Sequence, residues 1–313
     1  MIKKRNALII GGSGFLGYNV LKELTTSGWK VRNMDLKLPD KRFIIDGVDY
    51  VCNDLFDQSK LENALDDIDA VFYFISTTFP NTDDKSLGQE INKTLLTLDY
   101  VLSTMVKKSV HTFVFPSSGG AVYGEELNLC ALETDMLHPK TAYGVGKQMS
   151  EQIINFYFEK HMINSYIFRI GNVYGSSMYR DKPQGVIDVF VQNAISDKPI
   201  HVWGNADSVI RDYIYIDDVA DAIVNSVNIK REGVITYNVG TGVGTSVKEI
   251  IEMIENLLNK SLTIINEPEI SSGINKIVLN TRKIKNEIGW SSELNIRKGI
   301  ELTILRKKGI SGS

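Results

Sequence analysis

Residues 6–28 read "NALIIGGSGFLGYNVLKELTTSG". A short apolar run rich in β-branched residues stops at glycine, and apolar positions then recur at helical spacing as far as Gly28. The pattern predicts a buried strand, a glycine loop and a helix. Gly12, Gly14 and Gly17 satisfy G-x-G-x-x-G, and Gly11, Gly14 and Gly17 satisfy G-x-x-G-x-x-G. In this strand-to-helix setting the motif predicts a dinucleotide site. Glycines permit the tight turn and let backbone approach a pyrophosphate, while the helix N-terminus offers unpaired N–H groups and partial positive charge. Gly11, Gly14, Gly17 and the opening helical residues Phe15 and Leu16 are the expected cofactor contacts.

Asp35 ends the next strand-like run, "KVRNMDL". An acid about 20 residues past the loop can hydrogen-bond both hydroxyls of an adenosine ribose, and it repels a 2′-phosphate. The expected cofactor is therefore NAD rather than NADP, although the basic neighbours Arg32 and Lys37 pull the other way. Asp54 ends a third strand-like run, "YVCND". With Leu55 it is the expected contact at the adenine end, unless it is simply a solvated acid.

Strand and helix patterns then alternate. "DAVFYFIS" and "HTFVFPSS" read as strands, separated by a long helix through "LLTLDYVLSTMVKK". "YGVGKQMSEQIINFYFEKH" reads as a helix and "NSYIFRIGNVYG" as a strand running into a loop. This rhythm predicts an α/β protein with a Rossmann-type doubly wound parallel sheet. Residues 1–172 are expected to form the NAD-binding domain. Residues 173–313 are expected to form mainly a smaller α/β substrate-binding lobe, with scope for a segment to return to the main sheet.

Composition excludes some functions. A net charge of −3 with 23% charged residues argues against nucleic acid or an anionic membrane as the main partner. No segment reaches the roughly 20 apolar residues of a membrane helix. Cys52 and Cys130 make neither a disulfide framework nor a metal cluster, and the four histidines are scattered. No metal is expected, and two free thiols suit a reducing, cytoplasmic setting.

The stretch "HPKTAYGVGKQMSEQ", residues 138–152, separates Tyr143 from Lys147 by one helical turn. Residues four apart share a helix face. An ammonium beside a phenol favours the phenolate and lowers its pKa from about 10. Tyr143 is thus a candidate general base, with Lys147 its partner. Tyr18 and Lys22 have the same spacing but lie inside the first helix, which packs on the sheet, and are read as coincidence. "TFVFPSS" delivers Ser117 and Ser118 to the C-terminal end of a strand, where doubly wound sheets bind ligands.

In "GGSGFLG", "SSGGAVYG", "AYGVGK", "RIGNVYG" and "RDYIYIDDVADA" the chain resembles the extended short-chain dehydrogenases/reductases, specifically the sugar-nucleotide epimerase/dehydratase branch. "IGWSSELNIRKGI" extends the likeness over nearly the whole chain. The resemblance implies a UDP-glucose 4-epimerase-like enzyme. Tyr143 would take the proton of the sugar O4, hydride would pass from C4 to NAD, and both would return to the other face. By the same resemblance Asn172 would contact the sugar, Arg211 the diphosphate, and Gly185 and Val186 the nucleotide base. The expected substrate is a nucleotide-diphosphate sugar.

Three positions depart from the family pattern. The catalytic Ser or Thr position falls on Gly119, leaving Ser118 or Ser117 to supply the hydroxyl. Thr94, with Asn92 nearby, stands where an asparagine often lies near the nicotinamide. Ile270 stands where a second diphosphate arginine is expected, so the diphosphate would be held less tightly, or by Lys276. The leading expectation is a UDP-hexose or UDP-N-acetylhexosamine 4-epimerase. The alternatives are an NAD(P)H-dependent reductase of a nucleotide-linked 4-keto-6-deoxysugar and a dinucleotide-sensing regulator without chemistry. A dehydratase is disfavoured because Gly120 and Ala121 occupy its acid–base positions. The resemblance also implies a homodimer, paired through the helices containing "LLTLDYVLSTM" and "QMSEQIINFYF". Light scattering at micromolar concentration tests it: a dimer mass supports the pairing and a monomer mass contradicts it.

Overall fold

The computed structural model describes residues 4–76, 87–124, 130–175, 185–267 and 274–309. The glycine loop joins strand β1 (Asn6–Ile10) to helix α1 (Phe15–Thr26). Then come β2 (Lys30–Asp35), β3 (Asp49–Cys52), α2 (Gln58–Ala64), β4 (Ala70–Tyr73) and α3 (Leu87–Lys107). Strand β5 (Thr112–Ser118) runs directly into the single turn α4 (Gly119–Val122). Helix α5 (Ala142–His161) leads to β6 (Asn164–Ile170) and β7 (Asn172–Tyr174). The remainder is α6 (Val186–Ile195), β8 (Ile200–Trp203), β9 (Ile210–Tyr215), α7 (Ile216–Asn228), β10 (Val234–Val239), β11 (Gly244–Ser246), α8 (Val247–Leu258), β12 (Ile264–Glu267), β13 (Lys276–Ile277), α9 (Arg282–Ile288) and α10 (Ile296–Lys307).

Seven strands form one parallel sheet in the order β10-β6-β5-β4-β1-β2-β3. Both faces are apolar, as parallel strands require when helices cover each side. Ile9, Phe72, Val114 and Phe168 pack with Val20, Leu24, Ile223 and Ile284 on one face. Leu8, Val71, Phe113 and Ile167 pack with Leu61, Leu98, Met105 and Ile154 on the other. Each such buried aliphatic or aromatic side chain contributes roughly 1.5–3 kcal/mol. Strand order reverses between β1 and β4, which places a crevice at their carboxyl ends.

The expected strand "NSYIFRIGNVYG" is two strands. At Gly171 the chain leaves the main sheet, because a Cβ there would stand 2.7 Å from the carbonyl oxygen of Asp212. Strand β7 then pairs with β9 in a second sheet that also holds β11 and β13, while β8 and β12 pair separately. Helices α6, α8 and α10 cover this lobe around Ile187, Val191, Ile250, Ile254 and Ile300. The chain returns to the main sheet as β10, and α7 packs on that sheet beside α1. Residues 216–239 and α9, which follow β7 in the chain, thus lie with the main sheet.

Asp212 joins the two units. It is 1% exposed, and its carboxylate accepts from Thr241 N (2.8 Å), Thr241 Oγ1 (2.8 Å), Gly242 N (3.0 Å) and Leu279 N (3.2 Å). Burial pushes this carboxyl above the usual range while the four donors oppose the rise. Replacing Asp212 with Ala strands the three backbone N–H groups. Urea unfolding should show a loss of about 3 kcal/mol or more; a loss under about 1 kcal/mol would contradict the clamp.

Candidate active site

The glycine loop closes tightly on its own backbone. Gly11 N donates to Met34 O (2.9 Å) and Gly14 N to Gly11 O (3.1 Å). A Cβ on Gly17 would stand 2.4 Å from Gly11 O, and one on Gly12 would stand 2.3 Å from Asn33 Oδ1. Gly14 caps α1 without a side-chain hydrogen bond, so Phe15 and Leu16 begin a helix whose first N–H groups no side chain covers. These features fit a pyrophosphate.

Asn33 is a residue that sequence reasoning passed over. It is 2% exposed, accepts from Gly12 N (3.0 Å) and donates to Ser13 Oγ (3.3 Å). Its signal was a polar residue two positions from Val31 and from Asp35, on the strand face that meets the loop. Asp35 follows on that face and accepts from Ser13 N (3.1 Å) and Leu36 N (2.8 Å). Arg32 points elsewhere. It pairs with Asp49 (2.7 Å) and donates to Ala64 O at the end of α2 (2.9 Å). Arg32, one of the two basic neighbours that weighed against NAD, is therefore engaged away from Asp35. Beyond β3, Asp54 accepts from Phe56 N (3.0 Å) and Leu55 is buried.

Across the crevice, Thr141 caps α5 by accepting from Gly144 N (3.1 Å), so Tyr143 sits in the first helical turn. Gly144 lets that turn close on α4, since a Cβ would meet Ala121 O at 2.6 Å. Tyr143 is thereby set against the end of β5, where the Ser118 hydroxyl favours its phenolate. Ser117 faces the other way and donates to Glu151 Oε1 (2.5 Å). Gly119 has no room for a hydroxyl-bearing side chain, because a Cβ there would stand 2.7 Å from both Leu279 methyls.

Lys147 is 7% exposed. Its Nζ donates to Pro116 O (2.7 Å), lies 4.6 Å from the Phe115 ring centre and 5.7 Å from that of Tyr143. The pairing with Tyr143 exists, but its expected effect on the phenol does not dominate. Burial pushes Tyr143 up to about 12, opposed by the Ser118 hydrogen bond. Burial also pulls Lys147 down to about 8, opposed by the charge of Glu151. Tyr143, Lys147, Phe115, Tyr73, Ile75, Ser76, Gly146 and Thr94 line a narrow cleft.

The other candidates are more dispersed. Asn172 begins β7, and its Oδ1 lies 3.0 Å from where a Cβ on Gly120 would stand, beside the turn that follows Ser118. Gly185, at φ +88°, caps α6, and Val186 is its first residue. Arg211 lies in β9, with its guanidinium donating to Ile210 O (3.1 Å), Asn275 O (2.7 Å) and Ile274 O. Lys276 begins β13, and Ile270 lies outside the described residues. Cys52 and Cys130 are free thiols, and no described helix is long and apolar enough to cross a membrane.

A pyrophosphate cradle at the switch point facing a tyrosine and lysine on one helix turn defines the class: NAD-dependent enzymes of the extended short-chain dehydrogenase/reductase type. The model of the NAD dependent epimerase/dehydratase family matches residues 7–240, and the chain belongs to that family. A dTDP-4-dehydro-6-deoxyglucose reductase of Escherichia coli is 28% identical over 312 residues, spanning 96% of this chain and 97% of the reductase. A UDP-glucose 4-epimerase of Azospirillum brasilense is 27% identical over 301 residues, spanning 90% of this chain and 86% of its own. The Thermus thermophilus UDP-glucose 4-epimerase in complex with NAD superposes with a TM-score of 0.86 at 26% identity, covering 97% and 99% of the two chains. The chain is an NAD-dependent sugar-nucleotide epimerase or a related oxidoreductase.

The cradle yields a direct test. Gly12→Ala forces a methyl into Asn33 and disturbs the loop. Calorimetric titration with NAD should show affinity reduced about tenfold or more; unchanged affinity would place the pyrophosphate elsewhere.

Proposed function

We propose that this enzyme is a 4-epimerase of a UDP-hexose or UDP-N-acetylhexosamine. The observation that carries the reading is that Tyr143 and Lys147, one turn apart on α5, line one cleft beside the end of β5, with Lys147 Nζ held by Pro116 O. Likeness to UDP-glucose 4-epimerases over most of the chain supports it.

Bound in the cradle, oxidised NAD supplies the hydride acceptor and a positive charge at its nicotinamide ring. Tyr143 takes the proton of the sugar O4 while the C4–H bond breaks and the C4=O bond forms. Ser118 hydrogen-bonds the reacting oxygen and holds the phenol in line. Ser118 opposes the upward pull of burial on the phenol, and Lys147 places a positive charge beside the reacting oxygen. It also reaches ribose hydroxyls of the cofactor. After the 4-keto sugar turns over, Tyr143 returns its proton and hydride returns to the opposite face of C4. Asn172 positions the sugar, Arg211 the diphosphate, and Gly185 and Val186 the base. Arg211 suits its task as a permanently charged fork. The helices α3 and α5 pair two copies of the chain.

A second reading has its own support. The similarity to the E. coli dTDP-4-dehydro-6-deoxyglucose reductase spans nearly the whole chain. A reductase would use the same Tyr143 as proton donor to a 4-keto sugar and would exchange its cofactor each turnover.

Two experiments test these readings. Purified protein is incubated with UDP-glucose, UDP-N-acetylglucosamine and a dTDP-4-keto-6-deoxysugar, with and without NAD(P)H. Epimer formation without added reductant is the expected result, whereas stoichiometric NAD(P)H oxidation on the keto sugar selects the reductase. In the same assay Tyr143→Phe should lower turnover about a thousandfold, and Ser118→Ala about a hundredfold, with NAD retained in both. Wild-type turnover in Tyr143→Phe would reject the chemistry for either reading.

A further inference from the structure

The wall behind the cleft holds a chain of buried polar groups that the chemistry above does not use. Glu151 is one turn beyond Lys147 on α5 and is 4% exposed. Its Oε1 accepts from Ser117 Oγ (2.5 Å) and Arg169 Nε (3.2 Å), and its Oε2 accepts from Arg169 Nη2 (2.8 Å). Arg169, in β6, is 7% exposed. Its other arm donates to Tyr123 Oη (3.0 Å) and Glu133 O (3.0 Å). Tyr123 donates in turn to Asn238 Oδ1 (2.7 Å), and Asn238 Nδ2 donates to Ala131 O (2.9 Å) and Asn280 O (3.1 Å).

We propose that Glu151 is a positioning residue for the Tyr143–Ser118–Lys147 set, tying the end of β5 to α5. The inference rests on the catalytic reading of that set. Ser117, which Glu151 grips, stands between Pro116 and Ser118. The carbonyl of Pro116 holds Lys147 Nζ, and the Ser118 hydroxyl favours the Tyr143 phenolate. One carboxylate therefore fixes the strand end that supplies both partners, and it does so from the helix that carries Tyr143 and Lys147. Stability alone is a poor reason for the arrangement. Burying two charges is costly, and a well-packed apolar pair often serves a fold at least as well.

The charges around Lys147 single out Glu151. From its own helix Lys147 meets Tyr143 and Glu151, from β4 Tyr73, and from α3 the non-titrating Thr94. The acid that α3 does bring to α5, Asp99, accepts from Tyr157 (2.7 Å). From β5 come Phe115 and Pro116, which do not titrate. Arg169 stands across Glu151, in a bidentate pair with it. Burial pulls Arg169 down, but the hydrogen bonds and charge of Glu151 more than offset that pull. Among the described residues Glu151 is the acid whose charge bears on Lys147. An ammonium is charged below its pKa, so removing that acid lowers the pH at which Lys147 loses its proton.

The test is Glu151→Gln, which keeps the shape and loses the charge. Protein carrying ¹³Cε-lysine is titrated by NMR, with Lys147 assigned from the Lys147→Ala variant. The wild-type midpoint should lie at about 8, and that of Glu151→Gln about one pH unit lower. The alkaline limb of kcat should move by the same amount, with KM changed less than about twofold. The paired variant Glu151→Gln/Arg169→Met strands no buried charge and provides the same readouts if the single variant does not fold. A folded variant with the wild-type Lys147 midpoint and pH profile overturns the proposal, even if its melting temperature falls. That result leaves the catalytic reading standing, because the latter fails on Tyr143→Phe and not on Glu151.

Discussion

The seat of the first turn of α5 on the end of β5 organises the catalytic half of this enzyme. Gly144 admits Ala121 O where any Cβ would collide, and Thr141 starts the helix one residue before Tyr143's own turn begins at Ala142. The phenol consequently meets Ser118 and the Lys147 ammonium meets Pro116 O without either side chain being free to wander. The opposite wall obeys the same rule. Gly12 and Gly17 admit Asn33 and backbone where side chains cannot fit, so the loop closes tightly between β1 and α1. Close approaches at glycines thus shape both the loop proposed to hold the cofactor and the helix turn proposed to carry the proton acceptor.

Electrostatics in that volume are governed by burial before pairing. Burial makes the Tyr143 phenol a stronger holder of its proton and Lys147 a weaker one. The Ser118 hydrogen bond and the Glu151 charge act as corrections. A proton acceptor built this way depends on several modest contributions, each from a different element. That explains why the polar chain through Glu151, Arg169, Tyr123 and Asn238 is satisfied at every link that the structure describes.

The main sheet was legible because its signals are local. An apolar run, a glycine loop and an acid such as Asp35 at the strand end each follow from spacing within one βαβ unit. The Tyr143 and Lys147 pairing followed from one helical turn. What escaped depends on residues distant in the chain. A side chain at Gly119 would meet Leu279, which is distant in the chain and adjacent in space. That left Ser117 and Ser118 indistinguishable in sequence, although Ser117 is bound to Glu151. The break at Gly171 depends on Asp212 in β9. The expectation of an acidified phenol counted the neighbouring ammonium and had no means of counting desolvation. Arg32 looked like a threat to NAD selectivity until Asp49 was seen to claim it.

The central claim is that the carbinol hydrogen leaves C4, stays within the protein and returns to the same carbon on the other face. The most direct measurement follows deuterium. UDP-[4-²H]glucose and UDP-N-acetyl-[4-²H]glucosamine are incubated with the enzyme in ordinary water without added reductant, and the product is read by NMR and mass spectrometry. The account predicts a 4-epimer that keeps its deuterium at C4. Loss of the label to solvent, or product only when NAD(P)H is supplied in stoichiometric amount, would contradict it.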